Sequence, residues 1–209
     1  MTDDFSVASS ETVYTGRIMG LRVDEVRMPG GGTATRQVVE HPGAVVVLAL
    51  DRADGVVLIR QYRHPVGEWL VELPAGLLDV AGEPPLATAR RELAEEAGLV
   101  AARWDTLLDL RPSPGLSEEA TRVYLARDLT DVAEADRHVG TDEETDLGVH
   151  RMPLDEAVAA VFAGRIENAA TVAGLLAAAY ARDRSWTPLR PADAPWAADP
   201  TRRRRSFAR

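Results

Sequence analysis

The chain of 209 residues contains no cysteine, which excludes disulfides and any metal site built on thiolates. Hard oxygen donors remain as the metal-binding option. Basic residues are outnumbered, 24 against 33 acidic, and the net charge of −9 excludes a general affinity for nucleic-acid backbones. Long hydrophobic runs are missing too; even the Ala-rich stretch 169–181 is too short for a membrane span. Residues 1–10 are acidic and polar and carry no apolar core of a secretion leader, so a cytoplasmic protein without a membrane partner is expected. The four histidines, His41, His64, His138 and His150, are scattered with no helical metal spacing, and none is assigned to catalysis. No internal repeat is visible. What is present is ordinary for one well-cored globular domain: 45% hydrophobic and 27% charged residues.

Alternation of polar and apolar residues over 11–28 suggests strands, and Pro29 with Gly30, Gly31 and Gly32 turns the chain into a returning strand at 33–40. Residues 44–50 form a continuous apolar run, which reads as a strand buried on both faces. Further strands are expected at 56–62, 69–73, 104–110, 121–126 and 147–152. Pro84 and Pro85 open a helix that runs to Ala97 and stops at Gly98. Two more helices are expected at 154–163 and 168–182. From Trp186 onward Pro, Ala and Asp are frequent and Arg202 to Arg205 form a basic run, so 186–209 reads as an extended or disordered tail. The order predicts an α+β fold with a mixed sheet. Its parts are an N-terminal β region at 1–40, a core domain at 41–185 and the tail.

The helix at 85–97 carries the chemistry. Leu86, Ala89, Leu93 and Ala97 form an apolar stripe, while Glu92, Glu95 and Glu96 fall at i, i+3 and i+4 on one face. Like charges so placed repel by a few tenths of a kcal/mol per pair, roughly, unless a cation lies among them. Mg²⁺ or Mn²⁺, with their preference for oxygen ligands, would turn that repulsion into binding. A Glu-rich helix alone is more often a solvated face; Gly76, Glu83, Arg91, Gly98 and Leu99 at their spacings reverse the odds.

Those residues resemble the signature of the Nudix hydrolases, G-x5-E-x7-R-E-U-x-E-E-x-G-U with U aliphatic. Six residues rather than five separate Gly76 from Glu83, so strict alignment puts Leu77 at the glycine position and leaves Glu83 the loosest member. The resemblance implies an α/β/α sandwich with a mixed sheet, preceded here by the N-terminal β-hairpin region. It also implies a metal held by Glu92, Glu96 and the backbone oxygen of Ala75. Glu95 would be an additional ligand or a supporting carboxylate, and Arg91 would orient a glutamate.

Glu72 to Gly76, Gln61 to Arg63 and Pro114, 15 positions past Leu99, are similar to the branch that acts on ADP-ribose. That likeness implies a Mg²⁺-dependent (or Mn²⁺-dependent) hydrolysis to AMP and ribose 5-phosphate, by a homodimer with exchanged N-terminal strands. Arg63, Glu72 and Pro114 would meet the substrate, although Arg63 is equally readable as a surface arginine at a strand end. A glutamate of the acidic loop Asp142, Glu143, Glu144 and Asp146 would take the proton from water, Glu144 first and Glu143 second. Two other readings stay open: a broader nucleoside diphosphate sugar hydrolase, and a module that binds ADP-ribose without cleaving it.

Overall fold

The apolar run at 44–50 becomes strand β4 (Ala44–Ala49), and its pleat divides the interior into two cores. Val45, Val47 and Ala49 face one, while Val46, Leu48 and Leu50 face the other. Alternation of side chains across a strand makes this partition automatic, and burial on both faces explains why the run shows no polar position. The computed structural model describes residues 4–133 and 148–202.

Strand β4 pairs in parallel with β9 (Thr121–Asp131) and antiparallel with β7 (Ala75–Leu77). Strands β8 (Leu99–Leu110) and β11 (Arg190–Pro191) complete a five-stranded mixed sheet in the order β11-β8-β9-β4-β7. A second sheet, β10-β5-β6, is built from β5 (Gly55–Arg63), β6 (Glu68–Glu72) and β10 (Gly148–Pro153). Helix α1 (Pro85–Ala97) covers the face of Val45 and Val47, with Ala89 and Leu93 fully buried there. Helices α2 (Leu154–Phe162) and α3 (Ala169–Arg182) cover the opposite face, through Leu154, Ala157, Leu175 and Ala178. The expected α+β sandwich with a mixed sheet is therefore observed, and each large aliphatic side chain sealed in it contributes about 1.5–3 kcal/mol. Among the described residues no helix is long and apolar enough to cross a membrane.

Ahead of the sandwich lies an antiparallel sheet, β1-β2-β3, formed by β1 (Ser6–Thr15), β2 (Gly20–Arg27) and β3 (Thr33–Glu40). The turn between β2 and β3 uses Gly31 and Gly32 at φ +86° and +81°, a region other residues enter at a cost. Arg22 ties this sheet to the body. Its guanidinium reaches Asp24, Glu40 and, 96 positions away, Glu118 at 3.1 Å. Backbone bonds from Val39 N–H to the Leu116 carbonyl and from Glu118 N–H to the Val39 carbonyl add a second attachment.

Residues 186–202 are not the loose tail expected from their composition. Strand β11 pairs with β8, and the Thr106 hydroxyl donates to the Pro191 carbonyl at 2.9 Å. Arg122, side chain 3% exposed, donates to the Ala194 carbonyl at 2.7 Å and ion-pairs with Asp109 at 2.7 Å. It also lies 4.9 Å from the ring centre of Trp196, which is itself buried. Pro200 packs on Gly43, whose φ of +88° and missing Cβ admit it. The segment escaped sequence reading because its anchors are isolated residues whose partners lie 72 positions earlier (Ala194 and Arg122) or more, as far as Gly43 from Pro200, without periodicity. Residues 203–209, with most of the arginine run, lie outside the described residues.

Trp196→Ala should lower unfolding free energy by about 3–5 kcal/mol, as for other buried large-to-small changes. Chemical denaturation measures it, and a loss below about 1 kcal/mol would show that the segment is not part of the core.

Candidate active site

Helix α1 starts at Pro85, where a proline's missing N–H costs nothing, and ends at Gly98 in the left-handed region (φ 64°). Its apolar stripe is buried, so the register turns the acids to the opposite side. There Arg91 gathers three carboxylates. Its Nη1 donates to Glu92 at 2.7 Å and to Glu95 at 2.9 Å, and its Nη2 donates to Glu83 at 3.1 Å. The Glu83 carboxylate also accepts from the Thr88 hydroxyl at 2.9 Å. Hydrogen bonds from Arg91, first, and from Thr88 hold the Glu83 carboxyl below the usual carboxylate range, against the opposing effect of burial. Glu83, the loosest member of the motif in sequence, is thus firmly engaged.

Strand β7 lies directly over these acids. The Ala75 N–H donates to Glu96 Oε2 at 2.8 Å, and a Cβ on Gly76 would overlap the Glu92 carboxylate. Gly76, not Leu77, is therefore the motif glycine in space. The additional residue of the spacing is taken up at 79–82, where Gly82 sits at φ +81° and the Glu83 N–H bonds the Val80 carbonyl. The expected ligands, Glu92, Glu96 and the Ala75 carbonyl, would offer oxygen donors only, a set that a hard divalent ion could take with water completing it. Among the described residues no three Asp, Glu or His side chains form a ready-made cage. The acids are instead held by Arg91 and by the Ala75 amide.

Beside β7 opens a cavity of about 310 Å³. Arg63 and Glu72 line it, joined as a fork: Arg63 Nε to Glu72 Oε1 at 2.9 Å and Nη2 to Oε2 at 2.6 Å. Glu72 is 2% exposed and fixes the plane of Arg63, whose side chain remains 39% exposed. The structure thus brings Arg63, Glu72 and Ala75 to one cavity, beside the face of Arg91, Glu92, Glu95 and Glu96. Pro114 lies exposed in the 111–120 loop, and Pro112 of the same loop lines the cavity. Glu144 and the rest of its acidic loop, Asp142, Glu143 and Asp146, lie outside the described residues.

Other lining residues were invisible to sequence reading. His41 Nδ1 accepts the Gly43 N–H at 3.0 Å, and burial pushes its imidazole below the usual range against the pull of Glu119 and Glu118. Thr171, at the start of α3, accepts the Leu73 N–H at 3.0 Å across 98 positions. The one available signal was a histidine three residues before the apolar run of β4.

The NUDIX domain matches residues 40–173, and the nucleoside diphosphate sugar hydrolase N-terminal domain matches 7–39. An ADP-ribose pyrophosphatase of Mycobacterium tuberculosis is 49% identical over 198 residues, covering 95% of this chain and 94% of its own. A methanol dehydrogenase activator of Bacillus methanolicus is 37% identical, covering 78% of this chain and 86% of its own. A crystal structure of an ADP compounds hydrolase superposes with a TM-score of 0.73, covering 88% of this chain and 97% of the other. At 22% identity that likeness speaks for the fold alone.

Gly76→Ala should leave the chain folded yet push Glu92 aside, weakening divalent-ion binding by about tenfold or more in calorimetric titration. Unchanged affinity would remove Glu92 from the donor set. The stability that Glu83 contributes is present above its ordinary titration range and is lost as pH falls through its depressed folded value. Glu83→Gln should accordingly flatten the acid limb of the melting temperature against pH; an unaltered slope would contradict the Glu83–Arg91 pairing.

Proposed function

The chain belongs to the Nudix family, and from that premise we propose that it hydrolyses the pyrophosphate of ADP-ribose to AMP and ribose 5-phosphate. The family depends on divalent cations; Mg²⁺ is proposed here, with Mn²⁺ as the substitute. The observation that carries the reading is the placement of the Arg91-held glutamates under β7, at the edge of a cavity that Arg63 lines. Support for the substrate comes from the 49% identical relative named for ADP-ribose.

In this mechanism Glu92, Glu96 and the Ala75 carbonyl would hold the cation, which would supply positive charge to the phosphate oxygens and lower the pKa of water. Arg91 keeps Glu92 and Glu95 in place through charge-assisted bonds. Arg63, its plane set by Glu72, meets a phosphate oxygen. Glu144 accepts the proton of the attacking water, with Glu143 as the alternative. The proposed active species is a cytoplasmic homodimer. Residues 1–40 serve as the dimerising region and 41–185 as the catalytic domain. The exposure of Phe5, Val7, Val13 and Tyr14 on and beside β1 supports a partner there.

The match of residues 7–39 to the nucleoside diphosphate sugar hydrolase N-terminal domain favours a second reading, a broader hydrolase of such sugars. Binding of ADP-ribose without cleavage is disfavoured by the intact acid cluster.

A panel of ADP-ribose, nucleoside diphosphate sugars, diadenosine polyphosphates and NADH, with and without Mg²⁺, separates these readings. ADP-ribose should be preferred, and Glu96→Gln should lower kcat by about 10²-fold or more. Tight binding without turnover of any member would establish the sensor. Sedimentation of a protein lacking residues 1–40 should show monomers; a tight, active dimer would contradict strand exchange.

A further inference from the structure

We propose that His41 and Glu119 form the part of the cavity that reads the hydroxyls of the terminal sugar of the substrate. The inference rests on the ADP-ribose reading and adds to it a pair of specificity-determining residues.

Both residues line the cavity that Arg63 and Glu72 also line. Among the described lining residues there is no Phe, Tyr or Trp, so the cavity offers a purine no stacking partner and suits the sugar-phosphate end of the molecule. Within it the two carboxylates differ: Glu72 is paired with Arg63, whereas Glu119 is not paired with it. Arg63 carries the positive charge suited to phosphate. Glu119 accepts the Thr121 hydroxyl through Oε1 at 3.1 Å and forms no ion pair among the described residues. Arg111 bonds the backbone carbonyls of Glu118 and Glu119, at 3.1 and 3.4 Å, rather than the Glu119 carboxylate.

A carboxylate without a counter-cation repels phosphate and can be satisfied by a ligand group that donates. His41 supplies the complement. Its Nδ1 is occupied by the Gly43 N–H, which puts the ring proton on Nε2 and leaves that nitrogen as a neutral donor. One anionic acceptor beside one neutral donor matches a sugar diol, whose hydroxyls both give and accept hydrogen bonds. Phosphate oxygens, which only accept, would leave Glu119 unsatisfied. The pair therefore orients the substrate: phosphates towards Arg63, sugar hydroxyls towards Glu119 and His41.

The test compares wild type, Glu119→Gln, His41→Gln and His41→Leu on ADP-ribose and on its analogues lacking one hydroxyl of the terminal ribose. Wild type should lose about 10²-fold in kcat/KM when a hydroxyl is removed, because the pocket's polar groups are left unpaired. Glu119→Gln should raise KM for ADP-ribose about tenfold with kcat within about threefold, and shrink the deoxy penalty to below about fivefold. His41→Gln, which keeps a donor, should retain more of the discrimination than His41→Leu. Unfolding midpoints of all variants identify effects of misfolding, which would lower activity on parent and analogue alike. A wild type inert towards ADP-ribose overturns the functional reading and this inference with it. A wild type active on ADP-ribose, with a deoxy penalty that survives Glu119→Gln and His41→Leu, overturns this inference alone.

Discussion

Glu83, just before helix α1, and Glu92, Glu95 and Glu96 along it bring four like charges to one side of the helix, where they oppose one another. Arg91 is the compensation within the chain, with bonds to three of the four, while the Ala75 amide holds the fourth. This arrangement requires a helix whose opposite stripe is sealed against β4, so that the acids cannot rotate away. It requires also a backbone with no side chain at position 76. The core and the site are consequently parts of one constraint: Ala89 and Leu93 set the register that aims Glu92 and Glu96.

The same device recurs elsewhere. All 24 basic residues are arginine, whose planar fork can bind several acceptors in fixed directions. Arg22 uses it to join the N-terminal sheet to the 111–120 loop, and Arg122 uses it to hold the C-terminal segment against β8 and β9. Both clamps act next to cavity residues in the chain: Glu118 precedes Glu119, and Arg122 follows Thr121. The strands and loop that line the cavity are thus tied to elements near the two ends of the described chain.

Local features were legible in the sequence. The apolar run of β4, the proline start and glycine stop of α1, and the face shared by Glu92 and Glu96 all follow from short-range rules. Long-range pairing was not legible. Nothing near Trp196 indicates that Arg122 awaits it, and nothing near Thr171 indicates the Leu73 amide. The six-residue spacing between Gly76 and Glu83 looked like a weakness of the motif; in space the turn at 79–82 absorbs it and Glu83 reaches Arg91. Pro112, two residues before Pro114 in the same loop, lines the cavity, and nothing in the sequence around it signals that.

A divalent ion joining Glu92, Glu96 and the Ala75 carbonyl is what the proposed reaction requires of this site. Crystals grown with Mn²⁺, with data collected at the manganese absorption edge, address that directly. An anomalous peak within about 2.0–2.3 Å of oxygens from all three residues is the predicted result. A peak held by other residues, or Glu92 and Glu96 still bound to Arg91 and the Ala75 amide with no manganese beside them at saturating concentration, would contradict it.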